Sequence, residues 1–269
     1  MFLFGVVAAF GHGDVHLQII ELTKEIEKTP RNAELFVRRA DLHRLHGDWD
    51  AAQADYDHAG ALDPQLAMVD LARARMFLEA NWPLSSLTSV DRFLARQFEH
   101  PEGLIIRARA LAKLARYVEA AQDYTRAIGK VNEGRPELFL ERAQALAAEG
   151  KEHVDNAIRG LDEGIQKLGP LVTLNLYALD LETEHGRYEA ALKRLDGVIA
   201  KAPRKETWFE RRGNILFKAG RREEARQAYQ QALDAMKTLP PVRRNVPAMQ
   251  ELDKRLRANI ESLGSTASK

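Results

Sequence analysis

Five small residues constrain this chain more than any other feature: Ala52, Ala120, Ala157, Ala191 and Ala225. Their spacings are 68, 37, 34 and 34, and 68 is twice 34. Four residues after each comes a large side chain: Tyr56, Tyr124, Leu161, Leu195 or Tyr229. Seven residues after comes a small or β-branched one: Ala59, Ala127, Gly164, Val198 or Ala232. Offsets of 0, 4 and 7 lie on one face of a helix. Five residues before four of these alanines stand Gly47, Ala115, Gly186 and Gly220, where a preceding helix ends and the chain turns. The repeating unit is therefore a pair of helices. In the first unit they are expected over residues 32–46 and 50–62, stopped by Asp63-Pro64, because proline disfavours helix before itself. Pro203 and Gly169-Pro170 close later units in the same way. The alanines and glycines let two helices approach closely, and the aromatic fills the adjoining gap. One such pair cannot bury its apolar stripe alone, so neighbours must stack.

The same residues resemble the tetratricopeptide repeat family, which has the same period. The first unit carries the pattern as Phe36, Ala40, Gly47, Trp49, Ala52, Tyr56, Ala59 and Pro64. The sixth carries it as Phe209, Gly213, Gly220, Ala225, Tyr229 and Ala232, with Arg222 in place of the aromatic. The resemblance implies an all-α fold, a right-handed α-solenoid of about six helical hairpins with N- and C-terminal capping helices. It divides the chain into an apolar leader (1–13), a capping helix or half repeat (14–31), and repeats at 32–64, 65–101, 102–135, 136–170, 171–203 and 204–238. A linker (239–246), a second capping helix (247–263) and a disordered tail (264–269) complete it. In the fourth repeat Gly150 and Ala157 are seven residues apart rather than five, so its turn is longer. The second repeat is degenerate: "NWPLSSLTSVDRFL" has proline and serines where the alanine signature belongs, and its register stays open.

Composition narrows the function. Of 269 residues 29% are charged, yet the formal net charge is +1, which gives no support to nucleic-acid binding. There is no cysteine, so disulfides, thiolate metal sites and cysteine catalysis are absent. Residues 2–10 are apolar and uncharged, too short for a membrane span. They suit the apolar region of an export signal, which places the chain in the periplasm or outside the cell, or else an apolar tail on the first helices of a cytoplasmic protein. No phosphate-cradling loop, nucleophile elbow or zinc-protease motif occurs, so no enzyme activity and no cofactor is expected.

The histidines give the alternative reading. His43 and His46 share a helix face, and His12 and His16 lie near the start, where copper or zinc would suit an exported metal-binding module. Arginine pairs such as Arg38-Arg39 and Arg211-Arg212 read as surface ion pairs with interspersed acids. The family resemblance implies a concave groove lined by the first helix of each repeat, holding a protein or peptide partner. Mapped here it presents Val37, Asp41 and Arg44, then Arg109 and Lys113, Leu140 and Gln144, Leu176 and Asp180, and Asn214 and Lys218. Co-chaperones of the family carry Lys and Asn where this chain has Val37 and Asp41, and Asp41 repels a carboxylate. The expected function is a non-enzymatic interaction scaffold, resembling exported bacterial proteins of this family, with weak self-association where end caps are displaced.

Overall fold

The computed structural model describes the backbone of residues 7–131 and 134–264, and side chains from residue 14 onward. Residues 1–6 of the apolar leader and all but Gly264 of the expected tail at 264–269 lie outside the described residues, as do the side chains of residues 7–13, His12 among them. Every regular element among the described residues is helical. The chain forms two compact units, which divide between Glu149 and Gly150.

The first unit holds α1 (Val7–Lys28), α2 (Ala33–His46), α3 (Trp49–Leu62), α4 (Ala67–Glu79), α5 (Pro83–Arg96), α6 (Pro101–Lys113), α7 (Tyr117–Ile128) and α8 (Pro136–Glu149). Helices α2–α3, α4–α5 and α6–α7 pack as hairpins, while α2, α4 and α6 also touch in succession. The local chemistry follows the sequence. Asn32 caps α2 by accepting the Glu34 N–H at 3.1 Å, and Gly47 ends it at φ 81°, a left-handed conformation that costs glycine little. Asp48 then caps α3. Tyr56, Ala52 and Ala59 are fully buried, with Tyr56 filling the gap the two alanines leave. Burying a side chain of that size contributes roughly 1.5–3 kcal/mol. Leu22 and Ile26 of α1 join this core and cover its open end.

The degenerate second hairpin has a definite register. Asn81 takes the left-handed position (φ 61°) one period after Gly47, and Ala115 takes it (φ 57°) one period further on. Ser86, Val90 and Phe93 therefore stand where Ala52, Tyr56 and Ala59 stand in the first hairpin. The bulk has moved. Val90 is smaller than tyrosine, and Phe93, fully buried, is larger than alanine. Gly103 on α6 makes room: a Cβ there would lie 2.9 Å from the Phe93 ring and 2.8 Å from Leu94. Ser86 satisfies its buried hydroxyl by donating to the Ala74 carbonyl at 2.8 Å.

The second unit holds α9 (Val154–Leu168), α10 (Val172–Glu184), α11 (Tyr188–Lys201), α12 (Glu206–Lys218), α13 (Arg222–Lys237), α14 (Pro241–Arg244) and α15 (Pro247–Gly264). The pairs α10–α11 and α12–α13 are hairpins, α9 packs on α10, and α15 packs on α13 through Leu252, Leu256 and Leu263. Two expectations change. The linker at 239–246 contains one helical turn, α14, started by Pro241, whose fixed φ suits a first helical position. The helices assigned to one fourth repeat, α8 and α9, belong to different units. The two extra residues of its longer turn are taken up in a short 3-10 helix, Lys151–His153.

Candidate functional site

In the first unit the charged residues among the expected groove positions are tied to other side chains of the fold. Asp41 accepts the Tyr56 hydroxyl at 2.8 Å and the Arg44 Nε–H at 3.3 Å. Arg44 Nη1 donates onward to both carboxylate oxygens of Glu79 on α4, at 2.8 and 2.7 Å. Arg109 forks onto Glu141 of α8 at 2.8 Å through Nε and Nη2. Lys113 donates to Asn81 at 2.8 Å. Arg44 and Arg109 each reach the next first-of-pair helix, and Lys113 reaches back to the turn between α4 and α5. Burial, reinforced by Asp41, pushes the Tyr56 phenol well above its usual range, and burial beside Glu141 does the same to Tyr124. Val37 and Leu140 are half-buried, and Gln144 is exposed.

The second unit differs. Leu176 and Asp180 of α10 and Asn214 and Lys218 of α12 all line one cleft of about 720 Å³. Leu176, Ile215, Trp208 and Phe217 give it apolar walls, and Phe217 stays 48% exposed. Asp180 is held by an ion pair with Arg211. Asn214 accepts the Tyr229 hydroxyl at 2.8 Å, and burial with Glu210 nearby pushes that phenol up to about 12. Lys218 has no bonded partner among the described residues, so an ammonium stands free over an apolar floor. Such a cleft suits an apolar side chain accompanied by a carboxylate.

Among the described residues the histidines do not assemble into a metal site. His43 Nδ1 lies 3.5 Å from Asp48, and His16 is exposed on α1. Among the described residues no group of three or more His, Asp or Glu side chains converges to hold a metal ion, and no helix is long and apolar enough to cross a membrane.

A series of arginines carries more of the fold than the surface-pair reading allows. Arg39 clamps Asp55 through Nε and Nη2, both at 2.7 Å, and Nη1 donates back to Thr23 at 3.0 Å. Arg107 repeats this with Asp123 at 2.6 and 2.9 Å and Asp91 at 3.2 Å. Arg73 pairs with Asp57 at 2.8 Å, and Arg212 with Asp196. Each of these arginines sits on the first helix of a hairpin and reaches 16 residues forward, 16 back, or both. In the fifth hairpin the charges swap: Arg194 of α11 holds Glu182 at 3.0 and 2.7 Å and Asp162 of α9 at 2.7 Å. Asp55, Asp123 and Glu182 are buried, so these are not rim contacts. The signal was present in the sequence as Arg39, Arg73 and Arg107, each one period from the next.

Residues 145–250 match the family profile described as a Tetratricopeptide repeat-like domain. That segment carries a tetratricopeptide repeat-like domain. The all-α fold of successive helical pairs expected from the chain's alanines and glycines is the fold it has. A tetratricopeptide repeat protein from Parabacteroides merdae is similar at TM-score 0.56 and 20% identity, with 92% of this chain and 94% of that one covered. PilF of Pseudomonas aeruginosa is similar at TM-score 0.53 and 16% identity, covering 83% and 97%. The structure of Naa15/Naa10 bound to HypK-THB is similar at TM-score 0.57 and 17% identity, covering 95% of this chain and 38% of that one. At these identities the likeness is one of tetratricopeptide fold. No curated protein sequence matches.

Proposed function

We propose that this chain is a non-enzymatic scaffold for protein–protein interaction, and that the cleft between α10 and α12 holds a segment of the partner. The observation that carries this reading is the free Lys218 ammonium above walls of Leu176, Trp208 and Phe217. Exposed aromatic and apolar area beside an unpaired charge is what an interface needs: an apolar anchor for affinity and one charge for register. The chemistry fits a partner segment presenting a bulky apolar side chain with an acid group near it. The similar structure of Naa15/Naa10 bound to HypK-THB supports a scaffolding use of this fold.

Arg109 and Lys113 are poor probes of binding, because reversing them breaks their contacts to Glu141 and Asn81. Lys218→Glu and Leu176→Arg are better, since neither removes a hydrogen bond of the fold. Co-purification from cells that express the chain should lose its partner with either variant. Full recovery of the partner by both variants, each folded by circular dichroism, would refute the cleft assignment.

A further inference from the structure

A second cleft of about 670 Å³ opens in the same unit, along α11. Its walls come from Ile165 of α9, Val172 of α10, Val198 of α11 and Trp208 of α12. It shares only Trp208 with the α10–α12 cleft, so its case stands apart from the function proposed above. Three residues spaced four apart on α11, Lys193, Gly197 and Lys201, run along it.

Gly197 is the telling residue. It sits exposed inside a regular helix, where glycine costs about 1 kcal/mol relative to alanine. Nothing in the fold requires it: a Cβ added there would meet no atom within 4 Å. Gly213 and Gly103, by contrast, are each pressed by a neighbouring aromatic ring. An unneeded helical glycine at the middle of an open cleft removes bulk where another backbone would approach.

The charges beside it are also uncommitted. Lys193 and Lys201 have no bonded partner among the described residues. The acids near them are taken: Arg194 holds Glu182 and Asp162, and Arg212 holds Asp196. The two ammonium groups therefore present a positive rim over apolar walls. Eight helical residues separate them, about 12 Å at 1.5 Å per residue. A single lipid headgroup offers its charge at one point, whereas two carboxylates one to two helical turns apart match both lysines.

We propose that the α11 cleft is a second docking site, taking an acidic amphipathic helix of a protein partner with its apolar face on Val198 and Trp208 and its backbone close to Gly197. Two acids seven residues apart on such a helix, about 10.5 Å along its axis, lie opposite the lysine pair, within reach of the flexible lysine side chains, and apolar residues between them enter the cleft. The site adds a charge-selected contact to the scaffold, on a face other than the one lined by α10 and α12.

The test uses a fluorescein-labelled, alanine-based 16-residue helical peptide with Glu at positions 5 and 12 and Leu at 8 and 9, together with its twin carrying Lys in place of Glu. Fluorescence anisotropy on the full chain should show the Glu peptide binding at least tenfold more tightly than the Lys twin. Lys193→Glu with Lys201→Glu, both exposed changes that leave the core untouched, should invert that preference. Gly197→Phe should weaken the Glu peptide at least tenfold, and Lys218→Glu should leave it unchanged, which separates this site from the other cleft. Equal binding of both peptides, or indifference to both the charge swap and Gly197→Phe, would overturn the proposal. So would a sedimentation result in which the chain dimerises and Gly197→Phe abolishes the dimer, since the occupant would then be a second copy. Lysine-dependent binding of phosphatidylglycerol vesicles without peptide binding would overturn it in favour of a membrane.

Discussion

Replacing Gly213 with alanine sets two effects against each other. Alanine is the better helix former by about 1 kcal/mol, so propensity alone predicts a more stable protein. The packing predicts the opposite. A Cβ at Gly213 would lie 2.3 Å from Tyr229 Cε1 and 2.5 Å from Cδ1, where carbon atoms normally stand ~3.5–4.0 Å apart. The ring cannot swing aside cheaply. Tyr229 is 3% exposed and its hydroxyl is held by Asn214 at 2.8 Å. Relief requires the ring or the α12–α13 pair to shift by about 1 Å, a change of the kind that costs roughly 1–3 kcal/mol in a packed core. Gly197→Ala supplies the control. It makes the same gain in propensity in the same unit, and its Cβ meets nothing within 4 Å. The propensity gain cancels in the difference, so the two alanine variants should differ by the overpacking cost, roughly 1–3 kcal/mol. Gly197→Ala should be stabilised by about 1 kcal/mol relative to the parent. The assay is equilibrium urea unfolding followed by Trp208 emission in a Trp49→Phe, Trp82→Phe background, so that the signal reports the second unit alone. Equal stabilisation by both alanines would refute the claim that the glycine–tyrosine contact sets the spacing of that hairpin.

Other outcomes follow from the charge network and the buried phenols. Asp123→Ala should destabilise the first unit by roughly 2–3 kcal/mol, below the cost of breaking a fully buried pair, because Arg107 keeps Asp91 and is partly exposed; urea unfolding measures it, and a loss under about 0.5 kcal/mol would put the contact in the ordinary surface class. Burial raises the pKa of the Tyr56, Tyr124, Tyr177 and Tyr229 phenols, so absorbance at 295 nm should show four of the six tyrosines ionising late. Folding holds these phenols protonated, so their contribution to stability is complete below the ordinary tyrosine value of about 10 and is lost as pH rises through the raised values, which for Tyr229 means up to about 12. Simultaneous ionisation of all six near 10 in the folded protein would contradict this.

The hairpins were legible because their small residues mark helix crossings, where bulk is excluded and the period survives in the sequence. The second hairpin was not, because the volume was redistributed: Phe93 took the small position and Gly103, on the next helix, gave way. A single-repeat pattern cannot register a compensation that spans two repeats. The groove positions were legible as positions but not as chemistry. Arg44, Arg109 and Lys113 look available in the sequence, yet their partners lie 32 to 35 residues away, beyond the reach of any i,i+4 reading. The same distance problem hid the arginine clamps, whose 16-residue separations cross from one helix to the next. Lys218 and the lysines of α11 are exposed in the same manner as many others, and only the cleft beside each distinguishes them.

The placement of Arg39, Arg73 and Arg107 bears on how such an array can grow. Each cation and the aspartate it needs lie within one period of each other, so duplication of one whole period copies a complete clamp, cation and carboxylate together. A deletion of any other length strands a guanidinium on one side and a carboxylate on the other. The clamps thus act as a proofreader of repeat length: insertions and losses in whole periods are tolerated, and fractional ones are penalised at once.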